Sequence, residues 1–210
     1  EALAPVGITA EGLARVATNL ALARGDLVDL ALRSAARIAR TDAGAVVLDL
    51  AGWKREGNDT RRRLLVAALR WVGSPPHAPR AEKIARFEAA IWEGRSATLA
   101  GCRLRIGGVA FSIVREPGAV TGLATPTDAL WDSRWRLTGP HVPGLAVRAL
   151  GAEGLRLCDG WRATGRSRAV LVVSPAVWRG DALVAAPLAG MANGWAAEIA
   201  LDVEWAHAIA

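Results

Sequence analysis

The amino-acid sequence predicts an α+β fold, with a helical domain over residues 1–95 followed by a β-rich domain over residues 96–210. Up to Gly94, apolar residues recur at intervals of three and four, which is the periodicity of amphipathic helices. After Gly94, short apolar runs are separated by glycine and proline, which is typical of strands and turns. The chain has 210 residues, of which 52% are hydrophobic, and this is enough to bury a core.

The first helix is predicted to begin after Thr9, whose side chain can cap the free backbone N–H groups of the first turn. Its apolar positions recur at helical spacing and are Leu13, Val16, Leu20, Leu27, Leu30 and Ile38. Gly25 leaves open whether this is one long helix or two shorter ones. The helix is expected to end at Asp42–Gly44, before a β-branched strand over Ala45–Leu50.

Two shorter helices are predicted next. The second begins near Asp59 or Thr60, either of which can cap it, and ends at a turn over Gly73–Pro76. Its apolar face consists of Leu64, Leu65, Ala68, Leu69 and Val72. The third begins near Pro79 and ends at Gly94. Its inward-facing positions are Ile84, Phe87 and Ile91.

Hairpin signals identify the β-rich half. Gly107-Gly108 predicts a two-residue turn between strands over Thr98–Ile106 and Val109–Arg115. Gly180-Asp181 predicts a second hairpin. Strands are expected at five short apolar runs, which are Arg134–Leu137, Ala146–Leu150, Ala169–Val173, Ala176–Trp178 and Ala182–Ala186.

The sequence contains no motif for a catalytic or metal-binding centre. Gly107-Gly108 links two strands, and no glycine-rich loop suited to cradling nucleotide phosphates occurs. The nucleophile-elbow pattern is incomplete at Gly165–Ala169, which lacks the second glycine. His77, His141 and His207 lie more than 60 residues apart, unlike the ligands of a zinc site. We therefore expect no catalytic residue, no metal and no cofactor bound by this chain.

The charge distribution favours a polyanionic partner for the middle of the chain. The net charge is +6, from 24 Arg, 2 Lys and 20 acidic residues. Residues 96–180 hold 11 Arg against 5 acidic residues, whereas residues 181–210 hold no Arg or Lys and four acidic residues. Abundant Arg with almost no Lys is also typical of a coding bias, in which case the Arg content would not indicate a binding partner.

Two further properties predict a cytoplasmic protein. No apolar run approaches the roughly 20 residues that a membrane span needs, and residues 1–15 lack the pattern of a signal peptide. Cys102 and Cys158 are isolated, which is typical of a reducing compartment rather than a disulfide framework.

Two groups of basic residues in the helical half are candidate RNA contacts. The first lies at the predicted start of the second helix and consists of Lys54, Arg55, Arg61, Arg62 and Arg63. Cations there oppose the helix dipole, and an external phosphate would compensate. The alternative is a solvated face moderated by Glu56 and Asp59. The second group is Arg80 and Lys83, which repeat with Arg86 at helical spacing, as on an ordinary exposed helix face.

Two further groups interleave indole rings with guanidinium groups. One is Arg134, Trp135 and Arg136, after Trp131. The other follows Trp161 and consists of Arg162, Arg166 and Arg168. This combination suits single-stranded RNA, whose bases stack on aromatic rings while Arg meets the phosphates. It also suits a β-domain that buries its Trp, since nine Trp without any Tyr indicate that several are core residues.

The order of several segments resembles the middle part of bacterial tRNA(Ile)-lysidine synthetases. They begin with Arg63–Trp71 and Ala78–Lys83 in the helical half and Ala97–Leu104 at the start of the β-rich half. They continue in the same order with Arg115–Pro117, Trp131–Trp135 and Ser174–Pro187. The last segment is the most specific, because it combines a strand, a Gly-Asp turn and a second strand ending in Ala-Pro. The resemblance as a whole extends over roughly residues 5–200.

The resemblance implies an ATP-dependent ligase of the N-type ATP pyrophosphatase class. Such enzymes adenylate the wobble cytidine of an isoleucine tRNA and then join free lysine to it. The family's nucleotide loop, S-G-G-x-D-S, lies in a separate N-terminal Rossmann-like domain, and this motif is absent here. ATP and magnesium are therefore expected in that domain, and this chain alone is expected to be inactive.

For this chain, the resemblance implies a role in holding the tRNA. Its partner would be isoleucine tRNA, with lysine and ATP as substrates of the full enzyme and no membrane partner; homodimerisation stays open. Individual RNA contacts of the family are not transferred to numbered arginines, so the candidate residues rest on charge and Trp spacing. Two alternatives remain, a stand-alone RNA-binding protein and an interaction domain without an RNA role. The coding sequence before Glu1 would separate the first of these from a synthetase.

Overall fold

The fold is described from a computed structural model, which covers residues 9–75, 77–200 and 205–209. Four α-helices dominate the chain as far as Trp92, and short strands dominate after it. The predicted α+β class, helical first and β-rich second, is therefore confirmed.

The first helix, α1, is continuous over Ala10–Ile38. The Thr9 side chain accepts a hydrogen bond from the backbone N–H of Gly12 at 3.0 Å, so the predicted cap is confirmed. Gly25 lies inside the helix and does not interrupt it. Only the last part of the helix is buried, at Ala31, Ser34, Ala35 and Ile38.

Three more helices follow, and they are α2 (Leu50–Arg55), α3 (Asn58–Gly73) and α4 (Ala81–Trp92). The sequence did not predict α2, which is capped by a 2.5 Å hydrogen bond from the backbone N–H of Gly52 to the Asp49 carboxylate. The predicted cap of α3 at Asp59 or Thr60 is wrong, because both residues lie inside the helix. Thr60 is buried there instead.

The first sheet has five antiparallel strands, in the order β1-β2-β5-β4-β3. They are β1 (Ala39–Asp42), β2 (Ala45–Asp49), β3 (Ala97–Leu99), β4 (Cys102–Ile106) and β5 (Ala110–Arg115). The hairpin predicted at Gly107-Gly108 joins β4 to β5 and is confirmed. A turn at Ala100-Gly101 divides the predicted strand Thr98–Ile106 into β3 and β4.

The helices and this sheet enclose the first hydrophobic core. Its largest fully buried side chains include Trp53, Leu64, Leu65, Leu69, Phe87, Ile91, Leu104, Phe111 and Ile113. Trp53 and Phe111 meet edge to face, with ring centroids 5.2 Å apart. A 3₁₀ turn over Trp205–Ile209 packs against α1 and α3, so a segment from the far end of the sequence completes this core.

The division into domains at residue 95 stays a prediction, although the first sheet crosses that position. Val46 pairs with Ile113 and Leu48 pairs with Phe111, which joins β2 to β5. The first core therefore takes strands from both sides of residue 95.

Two smaller sheets form the rest of the molecule, in the orders β10-β9-β8-β6 and β11-β7. Their strands are β6 (Ala124–Pro126), β7 (Trp135–Thr138), β8 (Ala146–Ala149), β9 (Pro175–Arg179), β10 (Ala182–Ala185) and β11 (Ala196–Ile199). Short helices connect them, and these are α5 (Pro117–Val120), α6 (Gly151–Arg156) and α7 (Arg168–Leu171). The hairpin predicted at Gly180-Asp181 joins β9 to β10.

One predicted strand is wrong. Ala169–Val173 contributes to α7, because Ser167 precedes it and its hydroxyl accepts a hydrogen bond from the backbone N–H of Val170 at 3.4 Å. A run of five apolar residues does not distinguish a strand from a short buried helix, and the cap decides in favour of the helix. The other four runs coincide with β7, β8, β9 and β10.

No helix within the described residues is both long enough and apolar enough to cross a membrane.

Candidate nucleic-acid interface

Only two of the nine Trp side chains are available for stacking on a ligand. Seven are buried, and they are Trp53, Trp71, Trp131, Trp135, Trp178, Trp195 and Trp205. Trp92 is 45% exposed at the end of α4, and Trp161 is half-buried in a 3₁₀ turn. Each of these two rings lies among cationic side chains, which gives two candidate sites.

The first site, which we call the Trp92 surface, consists of Trp92 and Lys54 together with Arg55 and Arg62, the exposed residues that follow Lys54 on α2 and Arg61 on α3. The three cationic residues are exposed. The Lys54 Nζ lies 5.6 Å from the centroid of the Trp92 ring. An exposed indole beside cations can stack on a base while the cations meet phosphates.

Arg61 and Arg63 belong to the same predicted group but are held by protein partners. The Arg61 Nε donates to the Glu88 carboxylate at 2.6 Å, which links α3 to α4. The Arg61 guanidinium carbon also lies 5.3 Å from the centroid of the Trp92 ring. Arg63 pairs with Asp59 one helical turn earlier, at 2.5 Å. Both side chains are less than one-fifth exposed, so their main contacts are within the protein.

An open cleft of about 710 Å³ lies between α4 and β3. Lys83, Arg86 and Arg95 contribute positive charge to its lining, and Glu93 and Glu116 contribute negative charge. Arg95 pairs with Glu93, which reduces the charge available to a ligand. Arg80, immediately before α4, is exposed and lies outside the lining of this cleft.

The second site is the Trp161 cleft, which we define by Trp161, Arg156, Arg162 and Arg168. The cleft has a volume of about 380 Å³. The Arg162 guanidinium carbon lies 4.7 Å from the centroid of the Trp161 ring. Arg156 forms two hydrogen bonds with the exposed Glu153, at 2.5 and 2.7 Å. Ion pairs this exposed contribute little stability and exchange readily for a ligand phosphate.

Arg166 does not line the Trp161 cleft. Its Nη1 donates to the backbone carbonyl of Leu188 at 3.2 Å, and its Nε lies 3.9 Å from the Asp42 carboxylate. The structure therefore separates Arg166 from Arg162 and Arg168, with which the sequence groups it.

The structure corrects the prediction for Arg134 and Trp135. Arg134 is only 1% exposed, and its guanidinium donates to the backbone carbonyls of Trp71, Val72 and Gly44. Trp135 is also buried. Neither side chain is accessible to RNA, because both are buried. Together they join β7 to the first core. Arg136, the third member of the group, is exposed on β7.

Glycine is required at position 44 for this contact. Gly44 has φ +83° in the β1–β2 turn, a conformation that disfavours other residues. A Cβ atom there would also lie 2.5 Å from the Arg134 Nη2 and 2.6 Å from the Trp135 ring. The absence of a side chain lets the turn approach both residues.

Among the described residues, the pKa shifts that are resolved belong to buried side chains of Cys102, Cys158 and Arg134. Burial raises the pKa of the Cys102 thiol to about 12 and also raises the pKa of Cys158, which keeps both thiols protonated and poorly nucleophilic. Burial lowers the pKa of Arg134 to about 10, so this guanidinium stays charged at neutral pH. Within the described residues, no three His, Cys, Asp or Glu side chains are grouped so as to hold a metal ion.

Trp92, Arg95 and Arg156 contribute to these sites but were not singled out in the sequence. Trp92 follows the inward-facing Ile91 and lies outside the apolar stripe of α4, which was a usable signal in the sequence. Arg95 and Arg156 are isolated cations in the sequence. Only the folded chain places them beside the clefts.

Comparison with known proteins identifies a relative of this chain. The chain is 45% identical over 197 residues to a tRNA(Ile)-lysidine synthase from Ruegeria pomeroyi. This similarity covers 94% of the chain, which spans about half the length of that relative, 47%. No protein-family model matches the chain, and no solved structure gives a significant match. The resemblance indicated by the ordered motifs is therefore confirmed: nearly the whole chain is similar to about half of a tRNA(Ile)-lysidine synthase.

Proposed function

We propose that this chain is the tRNA-binding accessory portion of a tRNA(Ile)-lysidine synthetase. In the complete enzyme, ATP-dependent joining of lysine to the wobble cytidine of isoleucine tRNA takes place on a part of the polypeptide that this chain lacks. ATP and magnesium belong to that part, and this chain alone does not form lysidine. The complete enzyme acts in the cytoplasm, on free isoleucine tRNA.

The observation that carries the proposal is the similarity to the synthase, combined with the setting of the two accessible Trp rings. Each of these rings has a cationic side chain within 6 Å of its centroid. The exposed Arg156 and Arg168 also line the Trp161 cleft. Sites that bind single-stranded RNA pair aromatic rings with cations in this way. The net charge of +6 has the sign that binding to a polyanion needs.

The proposal is tested by titrating the chain with an isoleucine tRNA transcript at several salt concentrations. We expect affinity to fall with salt, with each neutralised phosphate contributing about −0.7 to −0.9 to the log–log slope. A duplex DNA of similar length serves as a non-cognate control. Absence of binding, or a slope near zero, would favour the interaction domain without an RNA role.

Substitutions of arginines test whether the Trp92 surface and the Trp161 cleft each contact tRNA phosphates. Replacing Arg55 and Arg62 with Ala removes two exposed cations from the Trp92 surface, and Arg162→Ala with Arg168→Ala removes two from the Trp161 cleft. Each pair is expected to reduce the magnitude of the slope by about 1 to 2. Arg15→Ala with Arg24→Ala is the matched control, since both residues are exposed on α1 and the net charge changes equally. An equal effect of the control pair would mean that only total charge matters.

Inactivity of the isolated chain is tested separately. The chain is incubated with ATP, magnesium, lysine and isoleucine tRNA, and the nucleosides are analysed by mass spectrometry. The full-length Ruegeria pomeroyi synthase is the positive control. We expect lysidine only with the full-length enzyme, and its formation by the chain alone would contradict the proposal.

A further inference from the structure

The first two-thirds of α1 makes almost no contact with the other residues that the structure describes. From Ala10 to Leu27 every residue except Gly12 is exposed. This stretch of 18 residues is about 27 Å long. An isolated helix of this length is marginally stable in water, because most helical stability in proteins comes from packing an apolar face. The projecting part of α1 therefore has the composition and length of a helix that packs against something.

The projecting helix carries an apolar stripe along one side. The stripe consists of Leu13, Val16, Leu20, Leu27 and Leu30, which recur at intervals of three, four, seven and three. At 100° per residue, these positions share a face with Ala31, Ser34 and Ile38, which pack into the first core. The stripe thus continues the buried face of the same helix beyond the body of the protein.

The opposite side of the helix carries few large apolar side chains, so the apolar residues are concentrated on one face. Most other positions between Ala10 and Leu27 are small or polar, and they include Arg15, Thr18, Arg24 and Asp26. Leu22 is the large apolar exception and lies 200° around the helix from Leu20. Leu20 and Leu22 are almost equally exposed, at 65% and 66%, so they form a matched pair for substitution.

We propose that this stripe is the docking face for the part of the lysidine synthase that has no counterpart in this chain, an inference that rests on the proposed function. The chain spans 47% of the Ruegeria pomeroyi synthase, so about half of that polypeptide is available to cover the helix. The partner surface is apolar and belongs to the same polypeptide.

The size of the stripe favours a tethered partner over a second copy of this chain. Stable association of separate proteins uses roughly 20–30 residues a side. The stripe offers five large apolar side chains. A contact this small is sufficient when a covalent link supplies a high effective concentration. The stripe therefore fits a contact within one polypeptide.

Hydrogen exchange measured by mass spectrometry tests the proposal, with this chain and the full-length Ruegeria pomeroyi synthase compared under the same conditions. In this chain, we expect amides of residues 10–27 to exchange at least about tenfold faster than those of residues 31–38. In the full-length synthase, the segment aligned with residues 10–27 is expected to exchange at least about tenfold more slowly than in this chain. Equally fast exchange in both proteins would overturn the proposal.

Substitutions distinguish the stripe from the rest of the helix. In the full-length synthase, Ser at the position aligned with Leu20 should restore fast exchange, whereas Ser at the position aligned with Leu22 should not. Equal effects of the two would also overturn the proposal. In this chain, Leu20→Ser should leave tRNA binding unchanged, so a failure of docking remains distinct from a failure of RNA binding.

Light scattering after size-exclusion chromatography measures the molar mass and so tests whether the stripe binds a second copy of this chain. We expect a monomer of this chain at every concentration. A dimer that dissociates on Leu20→Ser but not on Leu22→Ser would assign the stripe to self-association instead.

Discussion

At the scale of single residues, a buried guanidinium joins the two halves of the molecule. Arg134 lies beside β7 and donates to backbone carbonyls at the end of α3 and in the β1–β2 turn. Its guanidinium carbon lies 5.0 Å from the centroid of the Trp71 ring and 5.8 Å from that of Trp135. A buried charge persists only when fixed partners replace water, and three carbonyls do so here.

Replacing Arg134 with Met should strongly destabilise the protein. Met retains much of the aliphatic volume but leaves the three carbonyls without their donor. We expect the free energy of unfolding to fall by about 3–5 kcal/mol, because each buried carbonyl that loses its hydrogen bond costs about 1–3 kcal/mol. Urea denaturation measures the change, and Arg136→Met at the exposed neighbouring position is the control. Equal losses in the two variants would contradict a structural role for Arg134.

The buried Cys102 predicts a loss of stability at alkaline pH. An unfolded thiol has a pKa of about 8.5, whereas burial raises the pKa of Cys102 to about 12. Above pH 9 the unfolded state therefore loses this proton while the folded state keeps it, and stability falls by at most about 1.4 kcal/mol per pH unit. The lowered pKa of Arg134, about 10, acts in the opposite direction at higher pH.

This prediction is checked by urea denaturation at pH 8, 9 and 10. The wild type should lose more stability over this interval than Cys102→Ala, in which Cys158 and Arg134 are unchanged. Parallel pH profiles for the two proteins would show that the thiol does not titrate as its burial implies.

At the scale of elements, α4 separates two cationic regions. Lys83 and Trp92 are nine residues apart, which places them on opposite sides of the helix at 100° per residue. Lys83 lines the cleft beside β3, and Trp92 faces α2 and the start of α3. Arg61 connects α3 to α4 through Glu88 and thereby positions Trp92.

Neighbouring arginines on α3 should therefore differ in their effects. Arg61→Ala removes a partly buried ion pair and is expected to lower the free energy of unfolding by about 1–3 kcal/mol. Arg62→Ala removes an exposed side chain, so stability should change by less than about 0.5 kcal/mol while tRNA affinity falls. Denaturation and tRNA titration of both variants provide the measurement. A larger stability loss for Arg62→Ala would reverse this assignment.

At the scale of the whole molecule, the first core is closed by segments that are distant in the sequence. β2 needs β5 as its neighbour, and α3 packs against Trp205–Ile209. A chain cut at residue 95 would expose Val46, Leu48 and much of the apolar face of α3, which the later segments cover. We therefore expect the helical half not to fold by itself.

Fragments test this dependence. We expect residues 1–95 alone to show no cooperative thermal unfolding by circular dichroism, because they lack β3, β4, β5 and the terminal 3₁₀ turn. Mixing with residues 96–210 should restore a cooperative transition. The intact chain is the control, and a cooperative transition of fragment 1–95 alone would support the domain boundary near residue 95.

Local patterns in the sequence were sufficient for many of the elements. Thr9 marks the start of α1, and Gly107-Gly108 and Gly180-Asp181 mark two hairpins, because caps and tight turns depend on residues adjacent in sequence. The short α2 and α7 were missed because a few residues carry too little periodicity to distinguish helix from strand or loop.

The sequence by itself determined the α+β class, the long first helix, the absence of familiar phosphate-loop motifs, and the resemblance to lysidine synthetases. Only the tertiary structure decided which Trp and Arg side chains reach solvent. Arg134 and Arg136 are two residues apart on the chain, yet one is buried among backbone carbonyls and the other is exposed. Composition and spacing cannot distinguish them, because burial depends on contacts with residues such as Trp71 and Gly44 that lie far away in the sequence.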